Sequence, residues 1–293
     1  MTKYPFDLQT HSFFSDGDYM PEEVMKRAKR SGLLGVVLTD HNTINGTNRA
    51  IQEANRLGLL TLEGIEITAT FNKVDIHILG YARKFKRAVI QEGLRNVIVG
   101  SNERVRLMTQ KVNSLNIRPP VDFKKLLRSK GKGGMVVKYD IMRELRKNLK
   151  DSKQIGFIPL FSRGGAAYVP YGKWALTPEA AVSLIQQAGG LAFMAHPGAV
   201  ERSSHSASVT KRLINELIYR LTKCGLAGIE VHYSKHTQRQ ELEFLTLAQK
   251  LRLLVGGGSD WHGELHHPEI ELGSGGVTNA EFNRILTAIK KLG

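Results

Sequence analysis

Short apolar runs that stop at an acid or a histidine recur along this chain and constrain its fold more than any other feature. GVVLT (35–39) runs into Asp40-His41, LAFMA (191–195) into His196-Pro197-Gly198, and LLVGGG (253–258) into Ser259-Asp260-Trp261-His262. Brief, continuous and apolar, they have the pattern of strands buried on both faces of a parallel sheet. FDLQT, LLTLEGIEIT, VDIHILGY and GIEVHY are further strand candidates. Between them lie helix patterns: PEEVMKRAKRSG with Pro21 in its first turn, INGTNRAIQEANRLG ending at Gly58, TPEAAVSLIQQAGG and TQRQELEFLTLAQKL. Alternating βα units without a dinucleotide glycine fingerprint predict an α/β fold, either a barrel or an open parallel sheet. In a barrel, chemistry sits at the carboxyl ends of the strands.

The rhythm breaks in the middle. From 86 to 115, Ile90, Leu94, Val97, Val105, Met108, Val112 and Leu115 recur at three and four, which predicts one long amphipathic helix. A Gly/Lys loop (128–138), a helix on YDIMRELRKNL and a Gly/Pro loop (161–174) follow before the α/β pattern returns. The expected organisation is a barrel in two parts, 1–85 and 175–293, around a mostly helical insert, 86–174. The insert carries 20 Lys and Arg against 6 Asp and Glu, the rest of the chain 22 against 21. Nearly all of the net +15 therefore lies in one segment. Such a block is either a solvated face or a surface facing phosphates, and its lopsidedness favours phosphates.

With a single cysteine, Cys224, there is no internal disulfide and no CxxC motif; its expected place is buried near a helix end. The start MTKYPFDLQTHS lacks an apolar signal region, and no stretch of apolar residues is long enough to cross a membrane. A cytoplasmic protein with no membrane contact and no obligate protein partner is expected.

The polar residues at the predicted strand ends are His11, Asp16, Asp40, His41, Glu66, His77, His196, Glu230, His236, Asp260 and His262. A lone histidine at a strand end is usually structural. Here six of the ten histidines gather toward one edge with several carboxylates, a donor set that suits Zn²⁺, Mn²⁺ or Fe. His232, inside a strand, reads as structural, and His205, His266 and His267 fall in loops with no evident role.

Taken together, DLQTHSFFSDG, TDHNT, EGIEIT, DIHILGY, AHPG, IEVHYSKHT and GSDWHG resemble the polymerase-and-histidinol-phosphatase (PHP) family of metal-dependent phosphoesterases, over about 1–85 and 175–293. Through SNERVRLMTQKVNSLNI and RGGAAYVP, the insert is similar to the branch that hydrolyses nucleoside 3′,5′-bisphosphates and short oligonucleotides. The resemblance implies a distorted (β/α)7 barrel with an inserted mostly helical domain and two or three divalent metal ions (Mn, Zn or Fe). It implies one position at His11, Glu66 and Asp260, with residue 9 as fourth ligand. A second would use Glu66 as a bridge with His77 and His196, and a third Asp16, His41 and His262, with Asp40 orienting His41. The implied reaction is in-line attack of a metal-bound hydroxide on phosphorus, with Glu66 and Asp260 supporting the nucleophile. His236 would bind phosphate or protonate the leaving oxygen, Arg104 and Arg163 would contact phosphate, and Tyr168 would stack on a base.

Two departures from the family pattern stand out. Gln9 occupies the place of a histidine, and a neutral amide is the weaker partner for a transition metal. Tyr139 and Asp140 stand where the branch usually has a histidine before a helix. The expected substrate is a nucleotide or short oligonucleotide, cut 5′ to 3′. The competing readings are a small-molecule phosphatase of the histidinol-phosphatase type, and a non-catalytic nucleic-acid-binding module, which Gln9 favours.

Overall fold

The computed structural model describes residues 3–72, 74–117, 119–131, 133–148, 156–162, 164–170, 174–203, 211–265 and 268–292. The first part of the chain forms β1 (Phe6–Thr10), α1 (Pro21–Arg30), β2 (Gly35–Leu38), α2 (Thr47–Leu57), β3 (Glu63–Phe71) and β4 (Val74–Ala82). A helical stretch follows: α3 (Arg87–Ser114), α4 (Phe123–Ser129), α5 (Lys138–Asn148), α6 (Phe157–Phe161) and α7 (Pro178–Gln187). The chain then runs through β5 (Leu191–Met194), α8 (Pro197–Ser203), α9 (Lys211–Lys223), β6 (Gly228–Tyr233), α10 (Gln238–Leu251), β7 (Leu254–Gly258) and α11 (Asn279–Lys290).

Local chemistry sets the helix limits. In α1, Pro21 opens the helix, Glu22 and Glu23 face its positive end, and Arg27, Lys29 and Arg30 its negative end. Both α10 and α11 start with a capping box, Thr237 with Gln240 and Thr278 with Glu281, which satisfies backbone donors that the first turn leaves open.

β1 and β2 pair in parallel, and β3-β4-β5-β6-β7 form a second sheet. Within it β5-β6 and β6-β7 are parallel, but β3-β4 and β4-β5 are antiparallel, a departure from the regular βα alternation expected. The cause is chain length: β4 starts three residues after β3 ends, whereas a parallel crossover needs roughly a dozen. The hydrogen-bonded ladders make two sheets, not one closed sheet. Single bridges link their edges, His41 to Glu66 and Gly35 to Leu60 on one side, Thr10 to Trp261 on the other.

Two hydrophobic cores meet along α3. Its first half, with Ile90, Leu94 and Val97, packs with Val182 and Ile185 of α7 and Ile78 of β4. In the second half Val105, Met108 and Val112 join Leu126, Ile141 and Phe161 in a separate cluster. Gly100 marks the change: a Cβ there would lie 2.4 Å from the Trp174 Cβ, so only glycine admits this approach. Cys224 is exposed, not buried as expected. It sits just past the last turn of α9, before Gly225 at φ 90°, and the buried face of that helix has already been completed by Leu221. Among the described residues, no helix is long and apolar enough to cross a membrane.

Candidate metal centre

The ends of the strands bring eight acid and imidazole side chains to one place. His11 follows β1, Asp16 lies in the loop between β1 and α1, His41 follows β2, Glu66 and His77 come from the β3–β4 pair, His196 follows β5, and Asp260 and His262 follow β7. In the β3–β4 register Glu66 opposes Leu79 and Thr68 opposes His77, so Glu66 and His77 are diagonal neighbours on one face. The imidazoles form an arc: ring centroids are 4.1 Å apart for His262 and His11, 4.6 Å for His11 and His41, 4.9 Å for His41 and His77, and 5.2 Å for His77 and His196.

Glu66 lies at the centre, with no exposure to solvent. Its Oε1 is 2.7 Å from His77 Nδ1 and 3.2 Å from His196 Nε2; its Oε2 is 3.1 Å from His11 Nε2 and 3.7 Å from His41 Nδ1. Asp260 Oδ1 is 3.1 Å from the same His11 nitrogen. Asp16 faces His262 Nε2 at 3.3 Å, His41 Nε2 at 3.7 Å and His11 Nδ1 at 3.8 Å. In three groups, one atom per residue lies within 4.8 Å of the others: His11, Asp16, His41 and His262; His41, Glu66 and His77; His11, Glu66 and Asp260. His11 and His41 each belong to two groups, a sharing not anticipated from sequence. His196 and Asp260 adopt positive φ, 24° and 59°, rare for residues with a side chain and frequent where function dictates geometry.

Asp40 does not orient His41 as expected. Adjacent residues at a strand end point to opposite sides, and the Asp40 carboxylate instead accepts hydrogen bonds from the Ser12 N–H, the Ser12 hydroxyl and the Ser15 hydroxyl, each at 2.7 Å.

Electrostatics follow from the crowding. Burial raises the carboxyls of Asp16, Glu66 and Asp260, but the surrounding imidazoles outweigh it and hold all three below the ordinary carboxylate range. Burial disfavours the charged form of His11, yet Asp260 and Glu66 hold that ring well above its usual value. For His41 burial wins, and its pKa falls to about 4. The cluster thus offers ionised carboxylates beside imidazoles.

A cation fits these residues. Both nitrogens of His11, Nδ1 of His41 and Nδ1 of His77 are buried and make no aligned hydrogen bond, although carboxylate oxygens are close by. Buried polar atoms are nearly always paired, and a divalent ion is the partner that carboxylate and imidazole lone pairs share. Gln9 differs: its Nε2 donates to Glu66 Oε2 at 3.0 Å, while Oε1 is buried without a hydrogen bond. β7 presses on it so closely that a Cβ on Gly258 would lie 2.5 Å from the Gln9 Cβ.

The other sequence candidates lie outside this cluster. His236 is separated from His196 by the Tyr233 ring, at 5.2 Å from each. Its Nδ1 faces the Val231 carbonyl at 2.8 Å and its Nε2 accepts from the Gly198 N–H at 3.1 Å, which fixes the ring as the Nδ1-protonated tautomer. Arg104 is buried and donates from Nε to the Val169 carbonyl at 2.6 Å. Tyr168 is half-buried, its carbonyl accepting from Lys111 Nζ at 3.0 Å. Arg163, His205, His266 and His267 lie outside the described residues. His232 bonds to Tyr4 and Glu281, the structural place expected of it.

Sequence reasoning missed three contributors. The Tyr233 hydroxyl donates to Asp260 Oδ2 at 3.3 Å. Lys138 stands beside Arg104: burial and that guanidinium push its pKa below the lysine value, while Asp75 and Asp16 oppose them. Lys130 is buried against the loop that carries Asp16. Tyr233 was detectable as the last residue of a strand; the two lysines were hidden in a long basic run.

Comparisons with known proteins give the chain its relatives. The profile of the family described as PHP domain matches residues 7–157. The chain is 30% identical over 258 residues to a 3′,5′-nucleoside bisphosphate phosphatase of Chromobacterium violaceum, covering 87% of this chain and 86% of that protein. It is 29% identical over 271 residues to the 5′-3′ exoribonuclease Rnm of Escherichia coli, covering 92% and 88%. Among solved structures, an amidohydrolase from Chromobacterium violaceum with bound sulfate and no metal superposes with a TM-score of 0.80 at 27% identity, covering 97% of this chain and 96% of the other.

Proposed function

Since the chain belongs to the PHP domain family, we propose that it is a metal-dependent phosphoesterase that hydrolyses phosphate esters of nucleotides, with nucleoside 3′,5′-bisphosphates and the 5′ ends of short oligonucleotides as substrates. The observation that carries this reading is the arc of imidazoles around the fully buried Glu66, in which both His11 nitrogens and Nδ1 of His41 and His77 face carboxylates without aligned hydrogen bonds. Support for the nucleotide half comes from the bisphosphate phosphatase and exoribonuclease relatives.

On this reading two or three divalent ions (Mn, Zn or Fe) would be held by Asp16, His41 and His262 with His11, by Glu66, His77 and His196, and by His11, Glu66 and Asp260. Bound there, such ions supply Lewis acidity and a nucleophilic water near neutral pH. The protein side of the reaction is positional. Glu66, common to two of the donor groups, would contribute to both positions. Tyr233 steadies Asp260 through its hydroxyl. Arg104 and Lys138, neighbouring cations of which Lys138 also senses Asp16, are candidates to neutralise substrate phosphate, as is Arg163 from the Gly/Pro stretch that follows, with Tyr168 available to stack on a base. His236 would protonate the leaving oxygen only after Nε2 gives up its bond from Gly198 and takes up a proton from solvent, Nδ1–H staying on the Val231 carbonyl. Residues 86–174 are read as a basic cap between two parts of one barrel, 1–85 and 175–293, with the bridges at Thr10–Trp261 and His41–Glu66 supporting closure.

The test is release of phosphate or mononucleotide by the Mn²⁺-loaded protein from a panel of a nucleoside 3′,5′-bisphosphate, a short oligonucleotide and histidinol phosphate. Turnover of the first two, abolished in His196→Ala, is expected. Turnover of histidinol phosphate alone overturns the nucleotide reading, and no turnover of any member overturns the enzymatic one.

A further inference from the structure

Asp16 is carried on a loop, Ser12–Gly17, that is gripped from two sides. On the inner side Asp40 binds Ser12 and Ser15. On the outer side the helical segment reaches in. Lys130 Nζ donates to the Phe13 carbonyl at 2.5 Å and the Ser15 carbonyl at 2.9 Å, and lies 2.9 Å from Asp140 Oδ1. These three partners use all three donors of the ammonium. Arg143 donates to the Gly17 carbonyl at 2.8 Å and to the same Asp140 oxygen at 2.6 Å. Asp140 Oδ2 accepts from the Val137 N–H, which ties the group to the start of α5. Phe13 lies beneath both cations, its ring centre 4.5 Å from Lys130 Nζ and 4.8 Å from the Arg143 guanidinium. The carbonyls before and after Asp16, those of Ser15 and Gly17, are therefore each tied to a cation, and one carboxylate joins the two cations. The Lys130 side chain has no solvent exposure and that of Asp140 only 3%.

We propose that Lys130, Asp140 and Arg143 form a positioning clamp through which the helical segment sets Asp16 against His41 and His262, and so sets the affinity for the divalent cation held there. The inference rests on the metal reading above. A carboxylate ligand on an unheld loop must be ordered when the ion binds; the clamp orders it beforehand. None of the three residues touches the ion, and their role is positional. Partners of this kind change metal affinity by roughly 10–100-fold when removed. The clamp also accounts for Asp140 at a position where a histidine was expected: an acid there can join an ammonium and a guanidinium, which a neutral imidazole cannot.

The test is Mn²⁺ binding to the full-length protein, stripped with chelator and titrated by calorimetry and by the paramagnetic resonance of free Mn²⁺. Lys130→Met is expected to weaken one class of Mn²⁺ by about 10–100-fold and leave the other unchanged. In an Asp16→Asn background the same substitution should have no further effect, because the ligand it positions is gone. Arg143→Met, at a more exposed point of the clamp, should weaken the same class to a smaller degree and decides the matter if Lys130→Met fails to fold. Unchanged Mn²⁺ binding in these variants overturns the clamp alone, as does equal weakening of every class with or without Asp16. Wild-type protein that binds no Mn²⁺ overturns the metal reading and the clamp with it.

Discussion

The acid-and-imidazole edge of the strands and the basic helical segment both concentrate charge, and they use it in opposite ways. At the strand edge, Glu66, Asp16 and Asp260 face imidazoles across short gaps, and both His11 nitrogens and Nδ1 of His41 and His77 make no aligned hydrogen bond there, the arrangement expected where a ligand is to be held. In the helical segment, named cations are spent on the protein itself: Arg104 on the Val169 carbonyl, Lys111 on that of Tyr168, Lys130 and Arg143 on the loop beneath Asp16, Lys125 on Glu144. A charge excess counted along a sequence is thus not the same as charge offered to a partner. The contrast teaches that a polar atom's geometry separates a site from a strut better than its sign does.

Substitutions can break this comparison. The largest effect is expected for Glu66→Ala, which removes the group shared between positions: activity should fall by about a thousandfold or more, measured as kcat on a nucleoside bisphosphate, with Mn²⁺ content falling in parallel. Retained Mn²⁺ content would show that the imidazoles suffice. Next comes chelation of the loaded protein. Loss of ions present at about a hundred times their Kd removes roughly 2.7 kcal/mol of stability, read as a lower Tm restored by added Mn²⁺; an unmoved Tm would argue that the strand edge holds nothing.

Arg104→Met probes the boundary between the two uses. Loss of its charged hydrogen bond to Val169 should cost about 1.5–3 kcal/mol of stability, and a phosphate role adds a 10–100-fold fall in kcat/KM. A stability loss with kcat/KM intact makes Arg104 a strut alone. Gln9→His should tighten one Mn²⁺ by about tenfold, since imidazole replaces an amide that donates toward Glu66; titration showing no change removes residue 9 from the ligand sphere. The smallest effect is expected at Cys224→Ser, within about 0.5 kcal/mol, because the thiol is exposed.

Much of the candidate site could be read along the chain because buried parallel strands are apolar throughout and expose chemistry only at their ends. His41, His196, Asp260 and His262 were visible for that reason. Glu66 and His77 are different: they lie inside strands, and only the β3–β4 register makes them neighbours. The antiparallel hairpin itself was missed because strand patterning does not encode direction; the short connection at Asn72 does, through the reach of the chain. Cys224 was placed inside because cysteine is usually buried, a tendency that the end of α9 overrides.

By itself the sequence determined that this chain is α/β, that several of its acids and histidines follow strand ends, and that the excess of positive charge lies in one segment. Those are local properties, set by apolar periodicity and residue chemistry within a few turns or strands. Only the tertiary structure decided that His11 serves two groups, that Gln9 donates to Glu66, that Asp40 holds a serine loop and not His41, and that Lys130 closes on the loop bearing Asp16. Each of these is a contact between residues distant in the chain, set by how the elements pack and within reach of hydrogen-bond distances only once they have.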